Sequence, residues 1–270
     1  QINADGARAA FPRWGYLLPH HLKQAGYRNY HSGKWHLPNV QTQVEKGGFD
    51  RSYHTNSSNN FFGADQHWLD DEKMAPTQGG EYYSTTAITD YAIGFLKDHQ
   101  QHHAASPFFL YTAYLSPHFP LHALQDVIDK YRDYYLEGWG QLKRQRYAKQ
   151  KELGFALGEN SPFEYLITAP WSWPAHALKD SIPGEVRYAK PWYQLTENEK
   201  YLQATKMAIH AAMVDIMDAE TGRILEQIKA MGEEENTLVI FLSDNGASAE
   251  QIIRGNGHDK DVPLGSAGSY

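Results

Sequence analysis

Five side chains in this sequence carry the chemistry of a small-anion site: Lys34 and His36 in "SGKWHL", His118 in "SPHFP", and Asp244 with Asn245 in "LSDNG". Lys34 is a compact point charge that neutralises an oxyanion, and His36 donates a hydrogen bond or a proton near neutral pH. In an extended backbone residues two apart point the same way, so these two are expected to look into one space on either side of Trp35. His118 lies between Pro117 and Pro120, whose rings restrict the backbone and suit a positioned proton donor. Asp244 and Asn245 offer one charged and one neutral oxygen, hard donors that suit Ca²⁺ or Mg²⁺ better than a soft metal. Two consecutive ligands are too few, so further carboxylates must come from elsewhere. Each residue also has a plainer reading: Asn245-Gly246 is a favoured turn pair, Lys34 a surface charge, and a lone histidine among 14 is more often incidental than catalytic. Taken together, a divalent cation, a lysine and two imidazoles would surround a tetrahedral oxyanion and give a leaving alkoxide or phenoxide its proton.

Such groups work together only if the elements that carry them converge. "LLPHHLKQA" (17–25) has helical apolar spacing and stops at Gly26; a short strand, Arg28 to Ser32, follows. Residues 37–82, rich in Asn, Gly, Asp and Ser, read as a long irregular excursion. Ser84 is expected to cap a helix to about Gln100 with Ile88, Tyr91, Ala92, Phe95 and Leu96 as its stripe. "PFFLYTAYL" (107–115) reads as a strand buried on both faces. Residues 141–152 form a basic helix whose plainest reading is a solvated face, and 155–195 is a loop region rich in Pro and Trp. "TENE" (196–199) is a capping box opening a long helix through Met207, Ala211, Val214, Met217, Ile224, Leu225 and Ile228, with Gly232 as its stop. "TLVIFL" (237–242) is expected to be a second buried strand running into Asp244. The alternation implies an α/β chain: a mostly parallel sheet with helices on both faces, holding its ligands beyond the carboxyl ends of the strands.

Composition bounds the function. A formal charge of −7 argues against a general nucleic-acid binder, so an anion site must be local. No apolar run approaches the roughly 20 residues of a membrane span. The absence of cysteine excludes disulfides, thiolate zinc sites and a cysteine nucleophile within this sequence. The start at Gln1 and the stop at Tyr270 are expected to be internal cuts.

"AGYRNYHSGKWHL", "PFFLYTAYLSPHFPLHA" and "NTLVIFLSDNGAS" closely resemble three blocks of the type I, formylglycine-dependent sulfatases, the arylsulfatases of the alkaline-phosphatase superfamily. "YYSTTAITDYAIGFL", "KMAIHAAMVDIMDAETGRIL" and "AEQIIRGNGHD" resemble the segments between, so the likeness covers nearly the whole chain from about residue 17. The resemblance implies an alkaline-phosphatase-like fold truncated at both ends, residues 1–270 being a partial catalytic domain. It assigns Lys34 and His118 to sulfate binding, His118 also to protonating the leaving group, His36 to assisting the nucleophile, and Asp244 and Asn245 to a Ca²⁺ ion, ahead of Mg²⁺. The family's nucleophile is a formylglycine made from the first residue of Cys- or Ser-x-Pro/Ala-x-Arg, and no arginine here has a serine four residues before it. Its upstream Asp-Asp pair is also missing: Asp70-Asp71 lies downstream of Lys34 and reads as a solvated turn. Lys260 is too close to Asp244 to be assigned as the family's later lysine. The expected substrate is an aryl or carbohydrate sulfate, with Trp68, Trp171, Trp173 and Trp192 either lining a sugar subsite or packing. The fragment is expected to be inactive by itself, and family members are usually exported to the periplasm or beyond. The alternatives are a phosphodiester or phosphonate monoester hydrolase of the same superfamily and a non-catalytic binder of sulfated glycans.

Overall fold

The computed structural model describes residues 16–37, 42–55, 60–79, 81–155, 158–165, 184–186, 188, 190–246, 259 and 261–269. Trp171, Trp173, Lys260, most of 155–195 and nearly all of "AEQIIRGNGHD" lie outside them. The chain divides into two compact units, one of residues 1–119 with 216–239, the other of 120–215 with 240–270.

The first unit is an α/β layer. Helix α1 (Leu18–Gln24) ends at Gly26, whose φ of +86° is the left-handed turn that only glycine adopts freely. Strand β1 (Arg28–Gly33) then forms the centre of a sheet, parallel to β2 (Arg51–Thr55) on one side and to β7 (Phe108–Ala113) on the other. β4 (His67–Leu69) and β5 (Glu72–Lys73) add antiparallel strands beyond β2, making the order β5-β4-β2-β1-β7. β3 (Gly63–Ala64) and β6 (Thr77–Gln78) form a separate pair. The stretch 37–82, read as irregular, thus carries five short strands among its described residues; they escape a search for apolar periodicity because each spans only two to five residues.

Alternation along β1 separates two faces. Tyr30 and Ser32 meet helix α2 (Ser84–His102): the Tyr30 hydroxyl bonds His99 Nδ1 at 2.9 Å, and Ser32 donates to the Ile88 carbonyl at 2.6 Å. Asn29 and His31 face the other way, where the Asn29 amide donates to the Pro19 carbonyl of α1 at 2.9 Å, so helices cover both faces. The stripe on α2 is shared. Phe95 stacks on Tyr30 and Tyr91 on Tyr53, while Ala92 and Leu96 pack with Ile224 and Ile228 of helix α6 (Glu197–Ala230).

Four expectations are corrected. Tyr83, not Ser84, holds the N-cap of α2; Ser84 is its first helical residue, and its buried hydroxyl has no partner among the described residues. β7 is half-buried rather than buried on both faces, with Tyr111 45% exposed. Residues 237–242 join no strand ladder, and Leu238 to Leu242 are each more than half exposed. The buried face of α6 runs through Ala204, Ala208, Ala212, Ile216, Ile224 and Ile228, so Met207, Val214 and Leu225 point outward: the helix has too many apolar residues for its stripe to be phased by hydropathy alone.

The second unit contains α3 (Gln125–Asp129), α4 (Arg132–Tyr135), α5 (Trp139–Glu152) and the first half of α6. Thr196 opens α6 as the capping box requires: its N–H donates to Glu199 Oε2 at 2.8 Å and its hydroxyl accepts from the Glu199 N–H at 3.3 Å. Trp192 lies edge-on to Trp139 at 5.0 Å, over a Gly138 whose φ of +82° and lack of a side chain the ring requires. Trp192 is therefore a packing residue.

Candidate functional site

β1 and β7 are parallel neighbours in register, Gly33 opposite Ala113, so the segments that follow them leave the sheet at the same end. This topology brings Lys34 and His36 to the sheet end that also carries His118. Gly33 makes the exit possible. Its φ is +129°, and a Cβ there would lie 2.0 Å from the Ala113 carbonyl oxygen. The same oxygen accepts the Lys34 N–H at 2.8 Å, pinning the backbone of the lysine to the end of β7.

Beyond Gly33 the chain leaves the ladder, so strand alternation no longer governs Lys34 and His36. Lys34 is half-buried and His36 exposed, and Lys34 makes no ion pair among the described residues. His118 is exposed on the loop after β7. The Ser116 hydroxyl, bonded to Thr85 Oγ1 at 2.9 Å, ties that loop to the first turn of α2, and the His118 N–H donates to Leu115 O at 2.9 Å. His118 Nδ1 donates to the Phe119 carbonyl at 2.6 Å, which leaves Nε2 to exchange a proton with a ligand.

Two further residues have partners that the sequence did not disclose. His31, fully buried, aligns with Ser52 on β2 and Tyr111 on β7. Its Nε2–H donates to the Lys34 carbonyl at 3.4 Å, so Nδ1 must accept from the Ser52 hydroxyl at 2.8 Å, which fixes one neutral tautomer. Burial among Trp35, Phe49 and Tyr111 pushes its pKa down to about 3. Period-two alternation would have placed His31 with Gly33 on one face, but nothing in the spacing set it apart from the other histidines.

The second is Asp71. Asp70 and Asp71 form the tight β4–β5 turn, both at positive φ (51° and 70°), but they are not solvated as expected. The Asp71 carboxylate accepts backbone N–H groups from Gln43 (2.7 Å), Val44 (3.1 Å) and Glu45 (2.8 Å), while Asp70 accepts from Arg51 Nε (2.7 Å) and the Ser52 N–H (2.9 Å). The pair is structural. Trp68 of β4 stacks on His54 at 4.9 Å, which commits one face of its indole to packing.

Asp244 and Asn245 belong to the second unit, on the exposed segment that joins no ladder. Ser243 donates to the Asn245 carbonyl at 2.6 Å, and the Asn245 amide donates to Gly246 O at 2.8 Å, which frees its Oδ1 as an acceptor. The donor types fit a hard cation. The number does not, since Ca²⁺ takes six to eight oxygens and among the described residues no group of three or more His, Asp or Glu side chains is arranged around a metal.

A family model described as Sulfatase matches residues 10–267. An uncharacterized sulfatase of Schizosaccharomyces pombe (strain 972 / ATCC 24843) is 31% identical over 260 residues, covering 88% of this chain and 43% of its own length. An arylsulfatase of Klebsiella aerogenes is 28% identical, covering 85% of this chain and 47% of its own, and an N-acetylglucosamine-6-O-sulfatase of Bacteroides thetaiotaomicron is 26% identical, covering 85% and 44%. The chain spans less than half the length of each of these relatives.

Proposed function

The chain belongs to the sulfatase family, and from that premise we propose that it forms part of the catalytic core of a sulfuric ester hydrolase acting on an aryl or carbohydrate sulfate. The observation that carries this reading is the in-register parallel pairing of β1 with β7, which leads to one end of the sheet a lysine with no ion pair among the described residues and two exposed histidines. The Lys34 ammonium neutralises sulfate oxygens, its backbone held by Ala113 and by His31. His118, with Nδ1–H retained on the Phe119 carbonyl, delivers a proton from Nε2 to the departing alkoxide or phenoxide. His36 assists the attacking group, a formylglycine hydrate in sulfatases, for which this sequence offers no precursor motif. Asp244 and Asn245 would supply two oxygen ligands of a Ca²⁺ ion, the remaining ligands coming from outside the described residues.

The test is leaving-group dependence in the complete gene product. His118→Ala should lower kcat/KM about 10²–10⁴-fold for an alkyl or sugar sulfate, whose leaving oxygen needs a proton, and far less for 4-nitrophenyl sulfate. Lys34→Ala should weaken turnover of both. Equal losses in His118→Ala for both esters would refute its role as acid, and a preference of the wild type for the matched phosphate ester would replace sulfate by phosphate.

A further inference from the structure

Helix α5 has no buried residue, so the hydrophobic core does not explain it. It carries Lys143, Arg144, Arg146, Lys149 and Lys151 against the single acid Glu152, in a chain whose net charge is −7. One face of it is nevertheless organised. Lys143, Arg146, Tyr147 and Gln150, at helical spacings of three and four, line a cleft of about 360 Å³ whose other wall is Gly158, Glu159, Asn160 and Ser161. That size falls in the range of small-ligand pockets, ~300–1,000 Å³.

The two walls are fastened together near the helix. Lys143 Nζ donates to the Ser161 carbonyl, to its Oγ at 3.3 Å and to Pro162 O at 3.3 Å, and the Tyr147 hydroxyl donates to Gly158 O. Between these fastenings the side chains of Arg146, Gln150 and Asn160 make no hydrogen bond or ion pair among the described residues. Lys143 also lies over the Phe163 ring at 4.4 Å, and Phe163 stacks on an exposed Tyr165 at 5.8 Å, which leaves an aromatic rim beside the cations.

An uncommitted guanidinium for an oxyanion, two amides without a partner among the described residues for hydroxyls and an aromatic rim for the C–H face of a ring are together the chemistry of a sulfated sugar. Glu159 adds an acceptor for a hydroxyl and, with the chain's negative charge, disfavours a dense polyphosphate. We propose that this cleft is a binding site for a sulfated oligosaccharide, distinct in its residues from the catalytic groups, with Arg146 holding a sulfate. The choice of sulfate as the anion rests on the sulfatase reading above.

Binding is measured calorimetrically in the complete gene product carrying Lys34→Ala and His118→Ala, so that the two proposed sulfate contacts of the catalytic site do not contribute and a failure of either reading shows by itself. The probe is a heparin tetrasaccharide, compared with its fully desulfated counterpart, a single-stranded DNA of matched charge and phosphatidylserine vesicles. The tetrasaccharide should bind at least tenfold more tightly than each comparison. Adding Arg146→Gln should weaken it about tenfold, the loss of one charge-assisted contact of ~1.4 kcal/mol, whereas Arg144→Gln, off the cleft face, should change it less than twofold. No discrimination against the desulfated sugar, tighter binding to DNA or vesicles, or equal weakening by both arginine variants would overturn the site. Because Arg146 is solvent-facing, unchanged circular dichroism of the variant is expected; should it unfold, the tetrasaccharide comparisons decide by themselves.

Discussion

Protonation of His31 should destabilise the fold by an amount that its burial makes large. The ring is fully buried and its Nδ1 accepts from Ser52, so a second proton would turn that hydroxyl round and place a full charge away from bulk solvent. Folded, it titrates near 3; unfolded, near 6.5. Between those values the unfolded chain binds more protons, so stability is full above pH 6.5 and declines as the pH falls, by roughly 1.4 kcal/mol per unit. From pH 7 to pH 5 the expected loss from this one group is about 2 kcal/mol. His31→Gln removes the titration and keeps an amide N–H where Nε2 meets the Lys34 carbonyl. Urea unfolding of wild type and variant at both pH values gives the difference. His99 and His210, also held low by burial, remain in both proteins and cancel. The reasoning is refuted if the variant loses as much stability as the wild type between pH 7 and 5.

Gly33→Ala must push a methyl group into the Ala113 carbonyl at 2.0 Å and hold φ at +129°, so a loss of about 3 kcal/mol or more is expected, read as a fall in melting temperature or in soluble yield. Asp71→Ala strands the N–H groups of residues 43–45 and should cost about 1–3 kcal/mol in the same urea assay, with Asp71→Asn intermediate because its amide keeps one acceptor oxygen. Thr196→Ala breaks the capping box and should cost about 1 kcal/mol, with helix loss confined in hydrogen exchange to the first turn of α6.

The readable parts of this chain were those in which one local rule dominated. Gly26 and Gly232 stop their helices at φ of +86° and +80°, and the reciprocal pattern of "TENE" opens α6, because cap chemistry is settled within a few residues. The α2 stripe was legible for the same reason. By contrast "TLVIFL" has every local mark of a buried strand, yet its apolar side chains are exposed: a strand's burial depends on a neighbour in the ladder, and hydropathy does not name that neighbour. Asp70 and Asp71 looked solvated because their partners, Arg51, Ser52 and residues 43–45, lie 18 to 28 positions away.

By itself the sequence determined the kinds of group available, a lysine, histidines and a carboxylate-amide pair, together with the ends of α1 and α6 and the family, since each is written in residue type and short spacing. Only the tertiary structure decided which of them meet. Parallel pairing of β1 with β7 set Lys34, His36 and His118 at one sheet end and buried His31 where it meets the Lys34 carbonyl, while hydrogen bonds from Lys143 and Tyr147 to residues 158–161 turned one face of a solvated basic helix into a walled cleft. Pairing register and burial are properties of contacts between distant segments, and no window along the chain contains both partners.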